Sequence, residues 1–154
     1  MDKEKIELTK AQFLALLKAV YLGNWIANAH RDGSREDPMI SEYEMIGDFI
    51  FSHARKFGFD RYVDDELAAE RKFYPTRWFE EETDVDKLHE EYDEESFWDE
   101  LIDRLAERDL FRKYSENEIK QMTRDEYFVR LHELIDKWEN EVNENGIERL
   151  EIDL

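Results

Sequence analysis

Four histidines are the residues best suited to metal or acid–base chemistry in this chain, which has no cysteine. They are His30, His53, His89 and His132, one in or near each major predicted helix. Di-metal sites in helix bundles use paired Glu-x-x-His motifs, with both ligands on one helix face. The nearest approach to this motif is the single Asp86-x-x-His89. We therefore predict partly buried, hydrogen-bonded histidines and no metal ligand.

Carboxylates and serines offer no more specific site. Paired carboxylates could act as general acid and base, because burial raises the pKa of one member. With 41 acidic residues in 154, however, such pairs arise by chance. The five serines lack the sharp turn of a serine nucleophile, and the five glycines are too scattered for a phosphate-binding loop. We predict no catalytic residue and no cofactor; a metal- or carboxylate-dependent enzyme with its site in the helix bundle is the alternative.

The charge balance restricts the possible partners. The formal net charge is −19, and the 22 basic residues are spread along the chain. A protein that binds nucleic acid needs a basic face to neutralise phosphates, and an anionic membrane attracts the same kind of face. The sequence therefore predicts no nucleic-acid partner and no membrane partner. A strongly acidic chain stays soluble through mutual repulsion, and it can attract a basic protein.

An acidic block, residues 80–100, carries twelve of the carboxylates and a single lysine. A solvated helix face is the ordinary role of such a block. Our functional hypothesis is a non-catalytic protein that binds a protein partner through an acidic and aromatic surface at residues 73–100. Carboxylates would steer the encounter and aromatic rings would anchor it. The candidate surface residues are Trp78, Phe79, Glu90, Glu91, Tyr92 and Glu94.

Mimicry of a nucleic acid is a second alternative for the acidic block. A mimic needs a broad and nearly uninterrupted negative face. Five basic residues in and around the block interrupt such a face, which disfavours mimicry: Arg71, Lys72, Arg77, Lys87 and Arg104.

The most apolar stretch, Thr9–His30, is predicted to be a helix at the centre of the fold. Thr9 is suited to the N-cap position, and after Lys10 the only formal charge is Lys18. Apolar residues cover most of the helix circumference, which is typical of a buried helix. A membrane span is the alternative, since about 20 apolar residues suffice. Polar residues such as Lys18 and Asn24 disfavour the span.

The segment LLKAVYLGNWIANA, with the preceding IELTKAQF, resembles the opening of a group of small uncharacterised bacterial proteins that share an LLKxVYLGNW-type helix. The resemblance extends as far as His30. It implies a bacterial, cytoplasmic protein and no activity, so no functional residue is inferred from it. The opening residues MDKEKIEL also lack the apolar core of a secretory signal.

Further helices are predicted from capping patterns and apolar spacing. A second helix opens at Ser41 with a Ser41–Glu44 capping box and ends at Gly58. Residues 59–82 are irregular, with a short helix within 63–73. Next we predict a short helix around residues 85–92 and a strong one from Phe97 to Lys113, with Trp98 in its core face. A capping box of Ser115 and Glu118 opens another short helix. Thr123 and Glu126 open a long helix that ends at Asn145–Gly146.

Two segments alternate apolar and polar residues as strands do. They are residues 5–8 near the N-terminus and 149–154 at the C-terminus. We expect these segments to pair as a small ribbon, or the C-terminal segment to pair with a second copy in a homodimer. The sequence as a whole predicts an all-α, mainly helical fold: a single domain, residues 1–154, with four to six helices around the buried central helix.

Overall fold

The structure, a computed structural model, describes residues 4–149, and it is mainly helical. The helices are α1 (Lys10–Asn28), α2 (Ser41–Phe51), α3 (Arg77–Glu82), α4 (Val85–Lys113), α5 (Glu116–Gln121) and α6 (Arg124–Asn145). Strands β1 (Val63–Asp64) and β2 (Tyr74–Pro75) form a small antiparallel ribbon. Short 3₁₀ turns occupy Ala54–Phe57, Asp60–Tyr62 and Ala68–Glu70. The predicted fold class, mainly helical with six helices in the described part of the chain, is confirmed.

The chain divides into two compact units. The first ends at Glu90 and the second begins at Glu91. Helix α4 is continuous across this division, so the two separate helices predicted at 85–92 and 97–113 are wrong. The single-domain organisation stays a prediction. None of the helices within residues 4–149 has the length and apolar composition that crossing a membrane requires.

Helix α1 begins at the predicted cap. The Thr9 hydroxyl accepts a hydrogen bond from the Gln12 amide (3.3 Å), and the Gln12 side chain accepts one from the Thr9 amide (2.9 Å). This reciprocal pair satisfies two amides that the first helical turn would otherwise leave free. Phe13 and Leu17 are buried, whereas Ile26 is exposed. The helix is therefore buried along one side only, whereas the apolar pattern predicted burial around most of its circumference.

Eight buried residues form the core of the first unit: Phe13, Leu17, Phe51, Ala54, Phe59, Val63, Phe79 and Val85. They come from α1, α2, the loops that follow α2, and the beginnings of α3 and α4. Phe79 is the residue at which three rings meet. Its ring lies edge-on to those of Phe51 (5.3 Å between centroids), Tyr21 (5.5 Å) and Tyr62 (5.8 Å).

Helix α2 starts without the predicted Ser41–Glu44 capping box. Ser41 is its first helical residue, and Ile40 at the cap position uses no side-chain hydrogen bond. The buried amide of Asn28, at the end of α1, takes over part of this role: its Oδ1 accepts from the Ile40 amide (2.8 Å). A hydrogen bond between residues twelve positions apart thus replaces the predicted local contact between Ser41 and Glu44. The helix ends at Phe51, so its predicted end at Gly58 is wrong; Gly58, in a left-handed conformation, ends the 3₁₀ turn Ala54–Phe57 that follows.

The ribbon lies in a different place from the one predicted. Val63 pairs with Pro75 and Asp64 with Tyr74. Residues 5–8 belong to no strand, so the predicted N-terminal strand is wrong. Residues 150–154, which hold nearly all of the predicted C-terminal strand, lie outside the described part of the chain. The homodimer through that strand therefore stays a prediction. The helix expected within 63–73 is only the turn at Ala68–Glu70.

The second unit contains most of α4 together with α5 and α6. Its buried residues, Ile102, Leu105, Ala106 and Leu110, share one side of α4. Trp138 on α6 donates from Nε1 to Asp109 Oδ2 on α4 (3.1 Å). Trp98, expected in the core, is half-buried.

The ends of α5 and α6 follow the sequence. The predicted capping boxes at Ser115–Glu118 and Thr123–Glu126 are confirmed, and Gly146 ends α6 as predicted. The serine and threonine hydrogen bonds lower the pKa values of Glu118 and Glu126, because they favour the ionised carboxylates.

Replacing Gly23 by alanine is expected to stabilise the protein by up to about 1 kcal/mol, since glycine is the weaker helix former. A Cβ at this position would meet no atom within 4 Å, so no steric cost offsets the gain. Gly58→Ala is the matched control, because φ at Gly58 is +75° and a side chain there is strained. Urea unfolding should show opposite changes for the two variants. Destabilisation by Gly23→Ala would contradict the prediction.

Candidate functional site

The six predicted surface residues lie in three different environments. Trp78 stands in the first turn of α3 and is 54% exposed. The guanidinium of Arg61 lies 4.4 Å from the centroid of its ring, a cation–π contact that holds the indole at the surface. Phe79, the next residue, belongs to the core. Glu90, Glu91, Tyr92 and Glu94 lie within two turns of α4.

The prediction that Phe79 lies on an interaction surface is wrong. Its exposure is 0%, and it is surrounded by the rings of the first unit's core. The reason is geometric. Thr76 caps α3 by accepting from the Phe79 amide, and consecutive helical residues then point about 100° apart. Trp78 and Phe79 therefore cannot share a face, and only Phe79 is directed into the core.

Residues 90–100 of α4, which we call the acidic segment, are exposed almost all round. Nine of the eleven residues are exposed, and Ser96 and Trp98 are half-buried. Seven of the eleven are acidic and none is basic. Two aromatic side chains stand in this segment with half of their surface in solvent: Tyr92 at 53% and Phe97 at 52%. Glu90, Glu94 and Phe97 follow the i, i+4, i+7 spacing, so they share one face of the helix.

Local contacts order the C-terminal half of the acidic segment. Trp98 donates from Nε1 to Glu94 Oε1 one turn earlier (2.6 Å), and the Phe97 and Trp98 rings lie edge to face at 4.9 Å. Glu100 pairs with Arg104 through Nε at 2.6 Å, as the i, i+4 spacing predicts. Each exposed pair of this kind contributes only a few tenths of a kcal/mol. The segment is thus a helix whose acidic and aromatic side chains lie mostly at its surface.

The four histidines do not come together. His53 Nδ1 lies 2.9 Å from both Ser52 Oγ and the Phe49 carbonyl oxygen, and the His89 ring contacts the Trp25 ring at 3.6 Å between centroids. These two are half-buried, as predicted, whereas His30 and His132 are exposed, so the partial burial predicted for them is wrong. Across residues 4–149, no group of three or more His, Asp or Glu side chains is arranged to hold a metal ion.

Two neighbouring cavities in the first unit were not predicted. The larger, about 470 Å³, is lined by α2 residues including Met45 and Phe49 and by Phe73. The second, about 240 Å³, lies between α1, α2 and the β2 region. Asp48 and Phe73 line both. Three large apolar residues of α2 are exposed: Tyr43, Ile46 and Phe49.

Asp48 connects α2 to the segment that forms the cavity walls. Its Oδ1 accepts from the Phe73 amide (2.8 Å), and its Oδ2 lies 3.3 Å from Lys72 Nζ. The hydrogen bond and charge of Asp48, followed by the charge of Glu44, raise the pKa of Lys72. Burial, and then a hydrogen bond to Glu80 (3.0 Å), raise the pKa of Tyr21 in the second cavity to about 12. Both groups therefore keep their protons at neutral pH.

Comparison with known proteins gives no further indication of function. No protein-family model matches this chain, and neither curated proteins nor solved structures show significant similarity to it. The likeness of residues up to His30 to small bacterial proteins stays a prediction.

Proposed function

We propose that this protein is a non-catalytic interaction protein that binds a basic protein partner through the acidic segment of α4. The supporting observation is the exposure of nine of the eleven residues between Glu90 and Glu100. A helical segment that is mostly acidic and exposed gains little from packing on its own chain. Its surface is therefore available for a partner to cover.

Charge determines the kind of partner. Seven carboxylates without a basic residue in the segment, on a chain of net charge −19, attract a positively charged surface over about a Debye length, roughly 8 Å in physiological salt. Such charges act mainly on the rate of encounter and on the choice of partner. Glu90 and Glu94, which share a face, are the carboxylates that we place at the centre of this attraction.

Aromatic side chains supply the buried contacts that charge alone does not. Interface energy is concentrated in a few residues, among which aromatic rings and arginine are enriched. Phe97 fits this role, because it is about half exposed and shares a face of α4 with Glu90 and Glu94. Tyr92, equally exposed, lies on the opposite face of the helix from Glu90 and stays a separate prediction. Phe97 thus takes the place of Phe79 in the predicted residue set. Trp78, on α3 in the first unit, stays a separate prediction.

The proposal includes a cytoplasmic location. Disulfides do not persist in the cytosol, and a chain without cysteine is independent of them. Basic proteins of the same compartment are then the class of partner in which to search.

Charge reversal on the acidic segment is expected to weaken partner capture at low salt. Glu90→Lys/Glu94→Lys changes two exposed carboxylates on one face of α4. Asp136→Lys/Glu139→Lys, at two exposed positions of α6, changes the net charge equally and is the control. With purified protein as bait in a lysate of the source cells, we expect about tenfold less bound partner for the α4 variant only, because charges at an interface change association rates by at least that factor. Equal losses in both variants would show that only overall charge matters.

A further inference from the structure

The smaller cavity of the first unit combines an aromatic lining with carboxylates. Its volume is about 240 Å³. Aromatic side chains contribute much of its wall, and two acidic residues of α2 lie at one side. The residues that carry the argument are Tyr21, Trp25, Phe73, Tyr74, Glu44 and Asp48. The volume is below the roughly 300–1,000 Å³ of pockets for drug-sized ligands, so the cavity suits a small group.

The charges at this cavity do not balance. Glu44 and Asp48, one helical turn apart on α2, contribute two negative charges, and Lys72 is the one basic residue in the lining. Lys72 Nζ lies 3.3 Å from Asp48 Oδ2, and Glu44 also acts on it electrostatically. These carboxylates thus already hold one ammonium group from the chain itself. One negative charge remains, so the lining attracts a second cation and repels an anion.

Contacts within the chain hold two of the aromatic side chains and the backbone of a third. The Trp25 ring packs on His89 at 3.6 Å between centroids, and Tyr21 donates from its hydroxyl to Glu80. The backbone of Phe73 is held by its amide, which donates to Asp48 Oδ1 (2.8 Å). Preorganised rings are what cation recognition needs, because the negative face of each ring must be in place before the cation arrives.

We propose that this cavity binds an alkylammonium cation, in which a positive nitrogen carries small apolar substituents. The aromatic faces attract the charge and contact the substituents, while Glu44 and Asp48 supply the net negative potential. A neutral group of the same shape would gain only the apolar contacts. This site is separate from the acidic segment of α4, and it does not depend on the function proposed there.

Choline and its neutral isostere 3,3-dimethylbutan-1-ol provide the direct test. The two molecules have the same shape and differ in charge. Each molecule is titrated into the full chain, and the nuclear magnetic resonance shifts of the Trp25 and Tyr74 signals give its dissociation constant. We expect choline to bind at least about tenfold more tightly than the isostere, the factor that corresponds to a partly desolvated cation–π contact. Equal binding of both molecules, or no shift with choline, would overturn the proposal.

Two variants locate the effect. Glu44→Gln removes one charge at the cavity while keeping the side-chain shape, and Glu42→Gln makes the same change at an exposed position of α2. We expect weaker choline binding in Glu44→Gln alone; equal weakening in both would overturn the site.

A trimethyllysine peptide distinguishes the sources of the cation. Tighter binding of the peptide than of choline indicates a modified protein, and equal binding indicates a free small cation. Glu90→Lys/Glu94→Lys should leave choline binding unchanged, so the two proposals can fail separately.

Discussion

Replacing Phe79 by alanine is expected to lower the free energy of unfolding by about 3–5 kcal/mol, the usual cost of removing a buried phenylalanine ring. Phe79 is fully buried, and three other rings, those of Tyr21, Phe51 and Tyr62, lie edge-on to it. Its loss removes apolar contacts and leaves a cavity where α1, α2 and α3 converge. Urea unfolding followed by circular dichroism measures the change.

Trp78→Ala is the control for this experiment, since Trp78 is the adjacent residue and 54% of its surface is exposed. Its main contact is the Arg61 guanidinium, and an exposed cation–π pair contributes about 0.5–1 kcal/mol. We therefore expect a loss of about 1 kcal/mol or less. A larger loss for Trp78→Ala than for Phe79→Ala would mean that α3 is rotated from the orientation described.

Leu110→Ala is expected to cost about 2–5 kcal/mol, because a buried leucine leaves both lost transfer free energy and a cavity. Leu110 is 0% exposed in the second unit, on the side of α4 that also carries Ile102, Leu105 and Ala106. Loss of helical signal during urea unfolding, together with hydrogen exchange in peptides from residues 101–113, reports the effect.

The adjacent Phe111 provides the comparison, since 58% of its surface is exposed. Phe111→Ala removes a larger side chain than Leu110→Ala does, yet we expect it to change the free energy of unfolding by less than about 1 kcal/mol, as surface substitutions do. If the phenylalanine variant were the less stable of the two, the described face of α4 would be incorrect.

The features that the sequence predicted correctly depend on short-range contacts. The caps at Thr9, Ser115 and Thr123 each join residues three apart, so the spacing of residue types is sufficient to identify them. Gly146 likewise ends α6 through its local backbone conformation, whereas Gly58 ends a 3₁₀ turn and not the predicted second helix. The mainly helical fold follows from the sum of such local preferences and from the apolar spacing.

The features that the sequence missed depend on partners far along the chain. Ser41 had the residue type of a cap, but Asn28 of another helix supplies the contact at that end of α2. The alternation at residues 5–8 is a strand pattern, yet a strand also needs a partner, and β1 pairs with β2 instead. Pairing over a distance leaves no periodic signal in either segment.

The candidate site shows the same division. The acidic block was visible from composition, and the exposure of Glu90, Glu91, Tyr92 and Glu94 agrees with it. Phe79 was misplaced because α3 has six residues, too few to show an apolar stripe. The cavity beside Asp48 was missed because it depends on a contact between distant residues: the Asp48 carboxylate accepts from the Phe73 amide, 25 positions along the chain.

The most direct test of the acidic segment as a partner-binding surface is capture at high salt with wild-type and Phe97→Ala baits. At about 1 M salt the Debye length is roughly 3 Å, so attraction by charge alone is screened and only contacts at close range persist. We expect the wild-type bait to retain one basic protein through this wash, and the Phe97→Ala variant to lose it. Retention of that protein by both baits, or release of every bound protein from the wild type, would contradict the proposed interface.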